Sequence, residues 1–188
     1  MIATLQRSLE RGAVTITAEI MPPRGADPAK SLAMAETLRD YVNAINVTDG
    51  SRAVMRMSSL AVCRLLLNAG LEPILQVGCR DRNRIAIQSD LLGAHALGIR
   101  NVLCLTGDPV RVGDQPEAKA VNDFESVRLL QQISSFNRAE DPVQGFLPEG
   151  GTNFFPGAAA DPNCRSLSGL FKRLERKKAA GAKFLQTQ

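Results

Sequence analysis

Strand-like and helix-like segments alternate along almost the whole chain, and few folds accept that order. "AVTITAEI" (13–20) is β-branched and apolar, and "DPAKSLAMAETLRDYV" (27–42) opens on Asp27-Pro28 and continues at helical spacing. The pattern then repeats: "NAINV" (43–47) as a strand and "RMSSLAVCRLLLNAG" (56–70) as a helix closed by Gly70. "EPILQVG" (72–78) and "IRNVLCL" (99–105) read as strands, separated by a helix over 82–98 that closes on Gly98. A long loop, a helix over 122–136 and a Pro- and Gly-rich loop follow. A fifth strand over 152–159, a helix over 166–181 and a sixth strand over 183–188 complete the series. Helices following strands at this regularity mean βα units and a parallel sheet.

Two α/β architectures fit, a doubly wound sheet and a (β/α)8 barrel. No GxGxxG follows the first strand, where a dinucleotide-binding fingerprint would sit. Polar residues fall at the C-terminal end of nearly every strand: Glu19, Thr48-Asp49, Gln76, Thr106-Gly107-Asp108, Asp161 and Gln188. In a barrel those ends meet in one ring around one site. The expected fold is therefore a (β/α)8 barrel, with residues 1–188 forming a single partial domain of about five and a half βα units. A closed barrel typically takes about 250 residues.

Composition narrows the class. The chain has 188 residues, 44% hydrophobic and 22% charged, enough for one domain with a sizeable core. No apolar run approaches the ~20 residues that span a bilayer. The N-terminal "MIATLQRSLERG" spaces Ile2, Leu5 and Leu9 as a helix and lacks the apolar centre of a signal peptide, so a cytoplasmic location is expected. Cys63, Cys79, Cys104 and Cys164 form no CxxC pair, which predicts buried thiols and no metal site. The net charge is +4, much of it in "FKRLERKKAAGAK" (171–183). With no Trp and one Tyr to interleave, nucleic acid is not the expected partner. That run is either a solvated helix face or a source of one or two cations for an anionic cofactor. His95, mid-helix on an element that covers the outside, reads as structural. In "CRDRNR" (79–84), Asp81 and Asn83 are expected to cap the next helix, with the arginines lying over the rim.

Three stretches carry a family likeness: "AEIMPPRGAD" (18–27), "CRDRNRIAIQSDLLGAHALGIRNVLCLTGDP" (79–109) and "RLERKKAAGAKFLQTQ" (173–188). In these the sequence closely resembles methylenetetrahydrofolate reductase, most of all the branch fused in some bacteria to a homocysteine methyltransferase. The resemblance runs from about Thr15 to Gln188 and covers roughly the first two thirds of the family's domain. It implies a (β/α)8 barrel that binds FAD across the C-terminal face of the strands. NAD(P)H is then the reductant and 5,10-methylenetetrahydrofolate the folate substrate, reduced to 5-methyltetrahydrofolate in one-carbon and methionine metabolism. Its implied partners are the folate, a second copy of the chain, or a fused or associated methyltransferase; no membrane is implied.

The likeness assigns residues as well. Glu19 in "E-x-x-P-P" matches the family's catalytic glutamate; unaided, a strand-end glutamate more commonly reads as only a soluble edge. Opening the methylene bridge needs a proton on the departing nitrogen, and a partly buried acid supplies it. Asp108 matches an aspartate beside the flavin ring and the pterin, where a carboxylate tunes the ring's electron density. Thr106 and Gly107 share that cofactor rim, Gly107 leaving room for the ring. Thr48 matches a threonine touching the flavin. Gln76 stands where many members carry histidine, keeping a hydrogen-bonding tip and losing titration. Ala158, in "GAAADPN" (157–163), stands in a cofactor-facing strand where some relatives place an aromatic. Arg176 and Lys177 match a basic pair reaching the flavin's ribityl and phosphate part, and Gln188 a glutamine on the pterin edge.

Six strands leave strands one and six with bare edges, so a fragment of a longer chain is expected. The alternative is a catalytically silent flavin- or folate-binding half-barrel subunit of a larger complex. Retention of Glu19, Asp108 and Gln188 together argues for the enzyme.

Overall fold

The computed structural model describes residues 4–143 and 145–187. Six strands, β1 (Thr17–Ile20), β2 (Ala44–Val47), β3 (Pro73–Gly78), β4 (Asn101–Leu105), β5 (Phe155–Ala160) and β6 (Phe184–Thr187), form one sheet. It is parallel throughout, in the order β1-β2-β3-β4-β5-β6. A doubly wound sheet reverses its strand order at a switch point; here every crossover steps the same way. The result is a curled half-barrel with alternating helices, a partial (β/α) barrel.

The helices are α1 (Thr4–Glu10), α2 (Ala29–Thr37), α3 (Ser59–Asn68), α4 (Arg84–Ala96), α5 (Ser126–Asn137) and α6 (Leu167–Ala179). Helices α3, α4 and α6 each stop two residues before a glycine, Gly70, Gly98 and Gly181. The pleat sends alternate residues to opposite faces. On the helix side Ile45, Val47, Leu75, Val77 and Val102 pack with Val62 and Leu66 of α3, Ile87 and Leu91 of α4, and Leu129 and Ile133 of α5. On the lumen side Ala44, Ile74, Leu103 and Phe155 close around Leu5 of α1. Helix α1 thus stoppers the N-terminal end of the strands. The Glu72 carboxylate anchors it, accepting the Thr4 and Leu5 N–H groups and, at 2.9 Å, the Asn101 amide.

Most expected elements are present, with shorter bounds. β1 begins at Thr17 instead of residue 13: Val14 and Ile16 are 89% and 54% exposed. The Asn43 N–H still donates to the Ile16 carbonyl at 2.7 Å, but its side-chain Oδ1 takes the Ile16 N–H at 2.9 Å in place of a backbone carbonyl. Helix α2 starts at Ala29, whose N–H Asp27 accepts at 2.9 Å, and ends at Thr37 rather than 42. Asn83 caps α4 by accepting the Ala86 N–H, as expected. Asp81 does not: its carboxylate is taken by Arg80. His95 lies on the outer face, hydrogen-bonded through Nε2 to Asn153 at 2.8 Å and edge-on to Phe154. Among the described residues no helix is long and apolar enough to cross a membrane.

Candidate active site

The C-terminal ends of β1 to β5 open into one cavity of about 480 Å³, as most of the ring of polar strand ends predicts; Asp161 instead lies outside it and accepts the Asn163 N–H at 2.9 Å. Glu19 enters it from β1, Thr48 from just after β2, Gln76 from β3, Thr106, Gly107 and Asp108 from beyond β4, and Lys177 from α6. The structure therefore brings seven of the residues singled out from sequence to one place.

Inside it, Gln76 Nε2 donates to Glu19 Oε2 at 3.1 Å; Glu19 itself is exposed, where a partly buried acid is expected. The Thr48 hydroxyl is buried and has no hydrogen-bond partner among the described residues. Such a group normally finds one, so it is poised for a ligand or water. Asp108 Oδ2 accepts the Arg52 N–H at 2.7 Å, and its backbone carbonyl accepts from Arg80 Nη1 at 3.1 Å. Lys177 Nζ donates to the Ala159 carbonyl at 2.6 Å. Burial, and then the charge of Arg173, lower the Lys177 pKa from its ordinary value. Lys177 is thus a half-buried cation at the cavity wall.

Three further placements differ from the sequence reading. Ala158 is fully buried against the helix layer, and Ala159 forms the cavity wall; a one-residue step along a strand reverses the face. The small residues of β5 serve Phe184, whose ring would lie 2.2 Å from a Cβ at Gly157 and which stacks on Phe155. Arg176 points away from the cavity and pairs with Glu125 at 3.3 Å on the exposed surface. Adjacent helical residues diverge by about 100°, so Arg176 and Lys177 cannot share a face. Arg173, one turn before Lys177, is the cation on that face; helical spacing alone would have found it. Arg80, expected over the rim, is buried beneath it. Gln188 lies outside the described residues.

The partners of Asp49, which in the sequence reads only as a polar strand end, and a second cavity are not legible in the sequence because both depend on strand order. Asp49 accepts the Gly78 N–H at 2.8 Å and pairs with Arg82, which also reaches Asp90 at 2.9 Å. This ties the ends of β2 and β3 to α4. A second cavity of about 750 Å³ adjoins the first across Thr106, Gly107 and Asp108, and Arg84, Arg111 and Arg128 line it. Among the described residues no group of three or more His, Cys, Asp or Glu side chains is arranged to hold a metal.

Comparison with known proteins bears on the family and the fold. A family model described as methylenetetrahydrofolate reductase matches residues 4–188. Among solved structures the chain is similar to 2,3-dimethylmalate lyase, a PEP mutase/isocitrate lyase superfamily member, with TM-score 0.62 and 13% identity. That alignment covers 100% of this chain and 64% of the lyase, so this chain spans less than two thirds of that relative. The likeness speaks for the fold alone. The match along the chain's length, falling on a barrel whose strand ends carry Glu19 and Asp108, makes this chain a member of the methylenetetrahydrofolate reductase family.

Proposed function

We propose that the complete protein reduces 5,10-methylenetetrahydrofolate to 5-methyltetrahydrofolate, with NAD(P)H as reductant and FAD as bound cofactor. The observation that carries this reading is the single cavity shared by Glu19, Gln76, Thr48, Asp108 and Lys177. These residues fit a flavin. The unpartnered Thr48 hydroxyl suits a hydrogen-bonding ring edge, and the Lys177 ammonium suits a phosphate. Bound FAD supplies hydride transfer from the nicotinamide to the folate.

The chain's own residues do the rest. Glu19 delivers a proton to the departing folate nitrogen as the methylene bridge opens. Gln76 orients it through the 3.1 Å contact to Oε2. The Asp108 carboxylate, held by the Arg52 N–H, sets negative charge at the rim where a flavin's electron density responds to it.

The test is purification of the full-length protein. It should carry a yellow flavin, and stripping that flavin should abolish NAD(P)H oxidation until FAD is restored. A colourless preparation that oxidises NAD(P)H at the full rate would overturn the reading.

A further inference from the structure

We propose that Arg80 is the positioning residue of this site: its guanidinium joins the loops after β2 and β4 and so sets the direction of the Asp108 carboxylate. The inference rests on the reading that Asp108 acts on a bound cofactor.

Arg80 is only 6% exposed. Its Nε and Nη2 grip the Asp81 carboxylate at 2.6 and 2.7 Å, which fixes the plane of the fork. From that plane Nη1 donates to the Asp108 carbonyl at 3.1 Å and Nη2 to the Gly50 carbonyl at 3.2 Å. Two glycines with positive φ shape the slot. A Cβ at Gly50 (φ 55°) would lie 2.8 Å from Arg80 Nη2, and one at Gly107 (φ 96°) would lie 3.1 Å from Arg80 Cβ. Only a residue without a Cβ takes these conformations easily and leaves that room.

The bonds close a ring. From Gly50 the chain passes to Arg52, whose N–H donates to Asp108 Oδ2 at 2.7 Å, and the Asp108 carbonyl returns to Arg80. Arg52 and Ala53, with φ 57° and 56°, are non-glycine residues in the left-handed region. Such conformations persist where their surroundings over-determine them. Arg80 supplies that on one side, and Gly113 presses against the Ala53 carbonyl on the other, where a Cβ would stand 1.8 Å away. A lysine could not serve, since one ammonium cannot hold a carboxylate bidentately and two carbonyls in one plane.

The test uses Arg80→Lys in the full-length protein, and its first readout needs no cofactor. In the flavin-free protein the Arg52 amide should exchange with deuterium at least tenfold faster, while amides within β3 and β4 keep wild-type protection. In the flavin-loaded protein the flavin's midpoint potential should move in the same direction as in Asp108→Asn. An unchanged Arg52 amide, or a faster one with an unmoved potential, would overturn the proposal. Should Arg80→Lys lose protection throughout β3 and β4, Asp81→Asn decides. It releases the fork at a half-exposed partner, and at least a threefold faster Arg52 amide is expected; no change overturns the proposal. Failure to bind flavin would count against the functional reading and leave the amide measurement standing.

Discussion

Glu19 and Gln76 stand on strands that are not neighbours, yet Gln76 Nε2 lies 3.1 Å from Glu19 Oε2 across β2. In a flat sheet those strands would run about 10 Å apart. The contact exists because the sheet curls and its lumen-facing side chains converge at the C-terminal ends.

Glu19→Gln preserves that contact, since a glutamine carbonyl accepts from Gln76 as the carboxylate does, and it removes the acid. We expect folate reduction to slow by ~10²–10⁴-fold, the usual worth of a positioned general acid. NAD(P)H oxidation with an artificial electron acceptor needs no proton on a folate nitrogen and should stay near wild type. Stopped-flow measurement of the two half-reactions separates them; equal, small losses in both would make Glu19 a rim residue.

Helix α6 offers a sharper contrast. Lys177→Ala should weaken flavin retention by about 1.5–3 kcal/mol, the worth of a charge-assisted contact. Arg173→Ala should weaken it in the same direction, and Arg176→Ala, whose partner is Glu125 on the outer surface, should leave it unchanged. Fluorescence titration of the stripped protein with FAD measures all three.

The thiols give the protein an alkaline limit. Burial pushes the Cys79 thiol up to about 12 and raises those of Cys63 and Cys104 well above their ordinary value. The unfolded chain releases these protons near pH 9 and the folded chain keeps them. Their contribution is therefore complete below that pH and is lost above it, at about 1.4 kcal/mol per pH unit for each thiol. Urea unfolding followed from about pH 9 to 11 should show this slope, shallower by one thiol's share in Cys63→Ala. An aromatic disulfide reagent should react quickly with the partly exposed Cys164 and with the other three only on unfolding.

Asp49→Ala should cost about 2–4 kcal/mol, because it leaves the Gly78 N–H without its acceptor and Arg82 with Asp90 and the Gly78 carbonyl as its remaining partners. Chemical denaturation gives the number. A loss below about 0.5 kcal/mol would class the pair with exposed ion pairs, which contribute little.

The sequence carried the element order well because period-2 runs and helical spacing are local signals. The ring of strand ends followed from that order: Glu19, Thr48, Gln76 and Asp108 share a cavity as the barrel geometry requires. What escaped was orientation within an element. Ala158 and Ala159 are alike in composition, and only the pleat says which faces the lumen. Val14 and Ile16 have the chemistry of a strand, but the Asn43 side chain takes the Ile16 N–H in place of a backbone carbonyl. Arg80 looked like one charge among several in "CRDRNR". Its burial depends on a slot formed by Gly50 and Gly107, residues distant in sequence.

Because the sheet runs β1 to β6 in sequence order, each βα unit leans chiefly on the one before and the one after. The molecule then behaves as a short row of coupled units whose stability is close to a sum of nearest-neighbour terms. β3 is buried along its whole length and β4 nearly so, while β6 alternates with exposed positions. Among the described strands, the amides of β3 and β4 should accordingly exchange last and those of β6 sooner.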